Sequence, residues 1–87
     1  MARSVKMIYF SWVRERIGKA EEVLDLPENL ATIGDMLDWM TSLGEGYAYA
    51  LEAPDVIRVA LDQQHHANDQ PLGDAREIAI FPPMTGG

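Results

Sequence analysis

Apolar and polar positions alternate over residues 5–12, a stretch rich in β-branched and aromatic side chains, and this predicts a first strand. The alternation puts Met7 and Tyr9 on one face and Lys6, Ile8, Phe10 and Trp12 on the other. Residues 13–17 carry three charges and run into Gly18, which suits a short turn of helix closed by glycine. Residues 21–26 alternate again, with Val23 out of phase with Leu24 and Leu26, and Pro27 stops this second strand. The two strands are close enough in sequence to pair as a hairpin with a long connection.

The period changes at Thr32. Thr32-Ile33-Gly34-Asp35 is a helix-start pattern of the Ser/Thr-x-x-Asp/Glu type. Ile33, Met36, Leu37, Met40 and Leu43 then recur at helical spacing as one apolar stripe, and Gly44 stands where a C′ residue belongs. The methionines on the stripe read as core filler. Trp39, at its edge, reads as half-buried. Tyr47, Ala48, Ala50 and Leu51 suit a short second helix within residues 45–53, ended by Pro54. Residues 56–61 form a third strand, with Ile57, Val59 and Leu61 alternating against Arg58 and Ala60. A turn over 62–64, a short edge strand over 65–67 and a loop over 68–74 come next. Residues 76–81 make the last strand, with Ile78 and Ile80 on one face and Ala79 and Phe81 on the other.

The predicted order is β-β-α-β-(β)-β, an α+β fold in which a mixed four- to five-stranded sheet is covered on one face by one main helix. If the first and last strands pair in parallel at the centre, the fold is a β-grasp, the ubiquitin-like arrangement. Residues 1–81 are expected to form that domain and residues 82–87 a flexible tail. With 87 residues, 47% of them hydrophobic, the chain can bury one core but not also enclose a deep catalytic pocket. Fourteen acidic against seven basic residues give a net charge of −7, which disfavours phosphate backbones and hence nucleic acid. Cysteine is absent, which removes disulfides, thiolate metal sites and a Cys nucleophile. Arg3 and Lys6 precede a short apolar stretch, but it ends in Arg14-Glu15-Arg16 and lacks a cleavage site, so it does not read as a signal peptide. No stretch approaches the roughly 20 apolar residues of a membrane span. A soluble cytoplasmic protein is expected, with no membrane contact.

In-domain chemistry has few candidates. His65 and His66 are adjacent, so on a strand they point to opposite faces and cannot chelate one metal together. Glu21 and Glu22 read as solvated. No Gly-rich phosphate loop, Ser-His-Asp set or metal-ligand spacing is present. Two features remain. Ile8, Phe10, Ala79 and Phe81 fall on the sheet face away from the helix, an apolar cluster of the kind that marks a partner surface. The other feature is Pro82-Pro83-Met84-Thr85-Gly86-Gly87. The prolines end the last strand and stiffen the start of the tail. Gly86 and Gly87 have no Cβ, so the last peptide can enter a narrow channel, and the Gly87 carboxylate is the least hindered acyl group in the chain. From Phe81 an extended tail reaches about 20 Å at ~3.3 Å per residue, enough to enter a neighbouring protein.

Lys6-Met7-Ile8-Tyr9-Phe10, Val13-Arg14-Glu15 with Gly18, Val59-Ala60-Leu61, Pro71-Leu72, and Glu77-Ile78-Ala79-Ile80-Phe81 with the terminal Phe-Pro-Pro-x-Thr-Gly-Gly together resemble the small subunits of molybdopterin synthase, a family of ubiquitin-like sulfur carriers. The resemblance spans nearly the whole chain. Gly-Gly by itself is shared with carriers for thiamine synthesis and tRNA thiolation. The chain departs from the family pattern at Ala75-Arg76, where Gly-Asp is frequent, at Asp62, where Asn is frequent, and at His65, where an apolar residue is frequent.

The resemblance implies that an ATP-dependent adenylating enzyme activates the Gly87 carboxylate as a glycyl adenylate. A sulfur donor protein then converts it to a thiocarboxylate, a C-terminal 1-thioglycine. The large synthase subunit takes up the tail, and the sulfur is passed to cyclic pyranopterin monophosphate to build the dithiolene of molybdopterin. Two small and two large subunits would form a heterotetramer with the catalytic side chains on the large one. The small chain would bind no cofactor or metal itself. Gly87 would be the reacting group and Gly86 would give access to it. Ile8, Phe10, Arg14, His65, Phe81, Pro82, Pro83, Met84 and Thr85 would face partners. The competing expectations are a carrier for thiamine or tRNA thiolation, and a ubiquitin-like modifier or interaction domain.

Overall fold

A computed structural model describes residues 3–83. Five strands, β1 (Arg3–Tyr9), β2 (Glu21–Leu26), β3 (Arg58–Leu61), β4 (Gln64–His66) and β5 (Glu77–Phe81), form one sheet in the order β2-β1-β5-β3-β4. The β1–β5 pair at the centre is parallel and the other pairs are antiparallel. This is the β-grasp topology. Three helices accompany the sheet: α1 (Ser11–Ile17), α2 (Ile33–Met40) and α3 (Glu45–Ala50).

The central strands face the helices through every second side chain. Val5, Met7, Tyr9, Ile78 and Ile80 are at most 2% exposed and pack against Ile33, Met36, Leu37 and Met40 of α2. Each such burial contributes roughly 1.5–3 kcal/mol. The start of α2 is set by a full capping box. The Thr32 hydroxyl accepts from the Asp35 N–H at 3.1 Å, and the Asp35 carboxylate accepts from the Thr32 N–H at 3.1 Å. Gly18 closes α1 in the left-handed region at φ 91°, as its position in the sequence predicts.

Several boundaries differ from the expectation. β1 ends at Tyr9, not at residue 12. Ser11 turns the chain at φ 55°, so Trp12 lies on α1 and is half-buried against the core instead of on the open sheet face. The stripe of α2 stops at Met40, and Leu43, on a 3-10 turn at Thr41–Leu43, is 38% exposed. Gly44 is extended, at φ 163°, and caps the start of α3 instead of closing α2. Pro54–Val56 form a 3-10 turn, so β3 begins at Arg58 and Val56 stands in solvent. The hairpin turn is tighter than predicted. Leu61 pairs with Gln64, and the two residues between, Asp62 and Gln63, both have positive φ, as a type I′ turn requires.

Candidate functional site: an apolar face at the end of the last strand

The registers place one row of residues across the sheet: Glu21, Ile8, Ala79, Ala60 and His65, in β2, β1, β5, β3 and β4 respectively. Their neighbours along the central strands point into the core, so this row lies on the face the helices leave open. Small side chains at Ala79 and Ala60 make its floor. Phe81 stands two residues after Ala79, opposite Arg58. Phe10, at the mouth of β1, meets Phe81 edge to face with centroids 6.4 Å apart. His65 also meets Phe81 edge to face, at 5.2 Å. Phe10 is 48% exposed. Phe10, Ile8, Phe81 and His65, expected from the sequence to share a partner surface, are therefore together on one face.

Local backbone chemistry displays this cluster. The Phe10 N–H donates to the Ile80 carbonyl at 3.2 Å, the last rung holding β1 to β5. The Phe10 carbonyl then accepts from the Arg14 N–H at 3.3 Å, opening α1. Phe10 thus sits at the junction where strand becomes helix, with its ring outside the core. Arg14 lies on α1, exposed. Pro82 and Pro83 come directly after β5, half-buried, and without N–H groups they cannot extend its ladder. Met84, Thr85, Gly86 and Gly87 lie outside the described residues.

His65 pairs with Ala60 and His66 with Val59, so the two histidines fall on opposite faces of the sheet, as their adjacency in a strand predicts. Both line a cleft of about 420 Å3, with Asp55, Arg58 and Asn68 among the other walls. The short strand sits at the sheet edge, so a cleft wrapping that edge reaches both faces. Among the described residues, no group of three or more His, Asp or Glu could hold a metal ion.

Behind the sheet lies a polar clamp that the sequence pattern does not announce. Glu22, expected to be solvated, is largely covered. Its carboxylate accepts from the Tyr9 and Tyr47 hydroxyls at 2.7 Å each and from the Lys19 ammonium at 3.0 Å. Burial works to raise the Glu22 carboxyl, but the three donors together outweigh it and hold it below the ordinary range. Burial, then the hydrogen bond to Glu22, pushes the Tyr9 phenol well up. Tyr47 is likewise raised, and its contact with Glu22 raises Lys19. The clamp ties β2 and α3 to the central strand. Tyr9 and Tyr47 stand 13 and 25 residues from Glu22, so no local spacing signals it.

A second clamp sets the start of β5. The Asp62 carboxylate accepts from the Glu77 and Arg76 N–H groups at 3.0 Å each, and these donors hold its carboxyl below the usual range. Asp62 thus fulfils the acceptor role an Asn could fill at the family's position. The positive φ in the preceding loop falls on Gly73, at 59°, so Ala75 is not strained and is buried.

Residues 7–87 match the ThiS family. The molybdopterin synthase sulfur carrier subunit of Escherichia coli is 31% identical over 83 residues, covering 95% of this chain and 99% of that protein. The subunit of the same name from Caenorhabditis elegans is 30% identical over 86 residues, with 97% and 98% covered. The crystal structure of SAMP1 from Haloferax volcanii superposes with a TM-score of 0.68 at 28% identity, covering 98% of this chain and all of that one. The chain therefore belongs to the ThiS family, as a ubiquitin-like relative of the molybdopterin synthase sulfur carrier subunits.

Proposed function

We propose that this chain is the sulfur carrier subunit of a molybdopterin synthase. The observation that carries the reading is its near full-length relation to sulfur carrier subunits of that name. The Phe10–Phe81–His65 face, at the strand end that leads into residues 82–87, supports it, because it offers a docking surface next to the group to be delivered.

In this reading an ATP-dependent adenylating enzyme joins the Gly87 carboxylate to AMP with release of pyrophosphate. A poor acyl electrophile thereby gains a good leaving group, and one hard step becomes two easier ones. A sulfur donor protein then replaces AMP with sulfur. The large synthase subunit docks on Ile8, Phe10, His65 and Phe81, with Arg14 at the rim. Pro82, Pro83, Met84 and Thr85 guide the tail, and Gly86 lets its site approach the thiocarboxylate of Gly87. Transfer to cyclic pyranopterin monophosphate returns the carboxylate for another round, and two rounds complete the dithiolene. Two carriers and two large subunits form the working heterotetramer. No helix among the described residues is long and apolar enough to cross a membrane. Delivery to a protein partner in the cytoplasm is the setting proposed.

The full-length likeness to SAMP1, from a protein described as a small archaeal modifier, favours one second reading, attachment of Gly87 to lysines of other proteins. Reconstitution separates the two. With activating enzyme, ATP, a sulfur source, the large subunit and cyclic pyranopterin monophosphate, molybdopterin is expected to form. Formation of isopeptide-linked products in its place, or of a thiolated tRNA or thiazole with the matching enzymes, overturns the synthase assignment.

A further inference from the structure

The apolar face does not end at Phe81. Arg58 is the cross-strand partner of Phe81 and His65 that of Ala60, so both belong to the face as well as to the cleft beside β4. The Arg58 guanidinium donates to the Asp55 carbonyl oxygen at 3.3 Å and forms no ion pair among the described residues. Lys6, Arg16 and Lys19 differ: each lies within 4 Å of a carboxylate, those of Glu21, Glu52 and Glu22. The Asn68 amide is committed to the Pro54 carbonyl at 3.0 Å. One guanidinium and two imidazoles thus line a single cleft, with the Asp55 carboxylate as the acid among its walls. On a chain of net charge −7, the charged groups of this cleft balance, Arg58 against Asp55.

A guanidinium left with free N–H donors at the border of an apolar face suits a carboxylate, which it can bind through two parallel hydrogen bonds. A nucleic-acid phosphate is a poor alternative, since the rest of the surface repels a polyanion. Building on the docking reading above, we propose that the cleft beside β4 receives an Asp or Glu side chain of the protein that docks on Phe10 and Phe81. Arg58 is its main ligand, and the contact selects the partner. The apolar face supplies affinity, while burying Arg58 unpaired penalises a partner lacking the acid.

The test is calorimetric titration of the large synthase subunit from the same organism with wild type, Arg58→Gln, Arg58→Glu and Phe81→Lys, at low and moderate salt. Arg58→Gln is expected to weaken binding roughly tenfold and to flatten its salt dependence, and Arg58→Glu to weaken it further. Far-UV circular dichroism checks the fold. If Arg58→Glu does not fold, Arg58→Gln, which keeps a donor for the Asp55 carbonyl, decides. Unchanged or tighter binding by the Arg58 variants, with Phe81→Lys losing affinity, overturns the acid-receiving cleft and leaves the docking face standing. Wild type that does not bind, or Phe81→Lys that binds as wild type does, overturns the docking face and the cleft with it.

Discussion

Phe10 and Phe81, at the ends of neighbouring parallel strands, meet edge to face, their ring planes at 82°. Such a pair is worth about 0.5–1.5 kcal/mol when buried, and less at a half-exposed site. The contact leaves Phe10 48% exposed on the open face of the sheet, with Phe81 partly covered beside it. Phe81→Lys is therefore expected to fold, with stability lowered by about 1 kcal/mol or less, and to lose roughly 2 kcal/mol or more of partner binding. Thermal unfolding and titration calorimetry separate the two effects. A variant that unfolds would place Phe81 in the core.

Gly46 allows α1 and α3 to touch backbone to backbone. A Cβ there would lie 2.8 Å from the Arg16 carbonyl oxygen and 3.5 Å from the Ile17 Cα. Gly46→Ala gains helix propensity, yet the overpacking should dominate and destabilise by about 1–3 kcal/mol. The urea midpoint should fall with an unchanged slope. A midpoint at or above wild type would contradict the close approach.

The Asp62–Gln63 turn holds two non-glycine residues at φ 49° and 73°. Gln63→Gly removes the Cβ conflict of the left-handed region and should stabilise by about 1 kcal/mol, less the extra entropy of glycine in the unfolded chain. Chemical denaturation reads this directly. Destabilisation would mean that the Gln63 side chain makes a contact stronger than the strain it carries.

The Glu22 clamp predicts an acid limb. Its carboxyl is held below the ordinary value, so the native state favours the ionised form. That contribution is complete above the unfolded value of about 4.3 and is lost as pH falls through the folded one. Glu22→Ala strands the Tyr9 and Tyr47 hydroxyls and should cost about 1–3 kcal/mol at neutral pH. Glu22→Gln keeps an acceptor and should cost less. The gap between wild type and Glu22→Gln should shrink as the pH drops, and a gap of constant size would show that the charge is not what matters. At the other end, the raised Lys19, Tyr9 and Tyr47 groups predict falling stability above about pH 10, where the unfolded chain loses those protons first.

Much of the fold is legible in the sequence because it is periodic. β2 and the capping box at Thr32 can be read to the residue, and the alternation of Met7, Tyr9, Ile78 and Ile80 gives the core face. The apolar cluster of Ile8, Phe10 and Phe81 comes from the same alternation. The rest depends on long-range geometry. Periodicity misplaces Trp12 because the alternation of β1 continues past the point where Ser11 turns the chain. Glu22 reads as solvated because its three donors come from β1, α3 and the loop before β2. Arg58 gives no signal, since an arginine on a strand is ordinary until its neighbours across β3, β4 and the Pro54–Val56 turn are known. The chemistry proposed for Gly87 is legible through resemblance and not through geometry.

In the proposed cycle Gly87 is charged with sulfur. Intact-mass measurement of the chain after incubation with activating enzyme, ATP and a sulfur source tests it most directly. The mass is expected to rise by the difference between one sulfur and one oxygen, placed by fragmentation at Gly87 and absent when Gly87 is deleted. An unchanged mass, or sulfur that persists in the deletion, would contradict it.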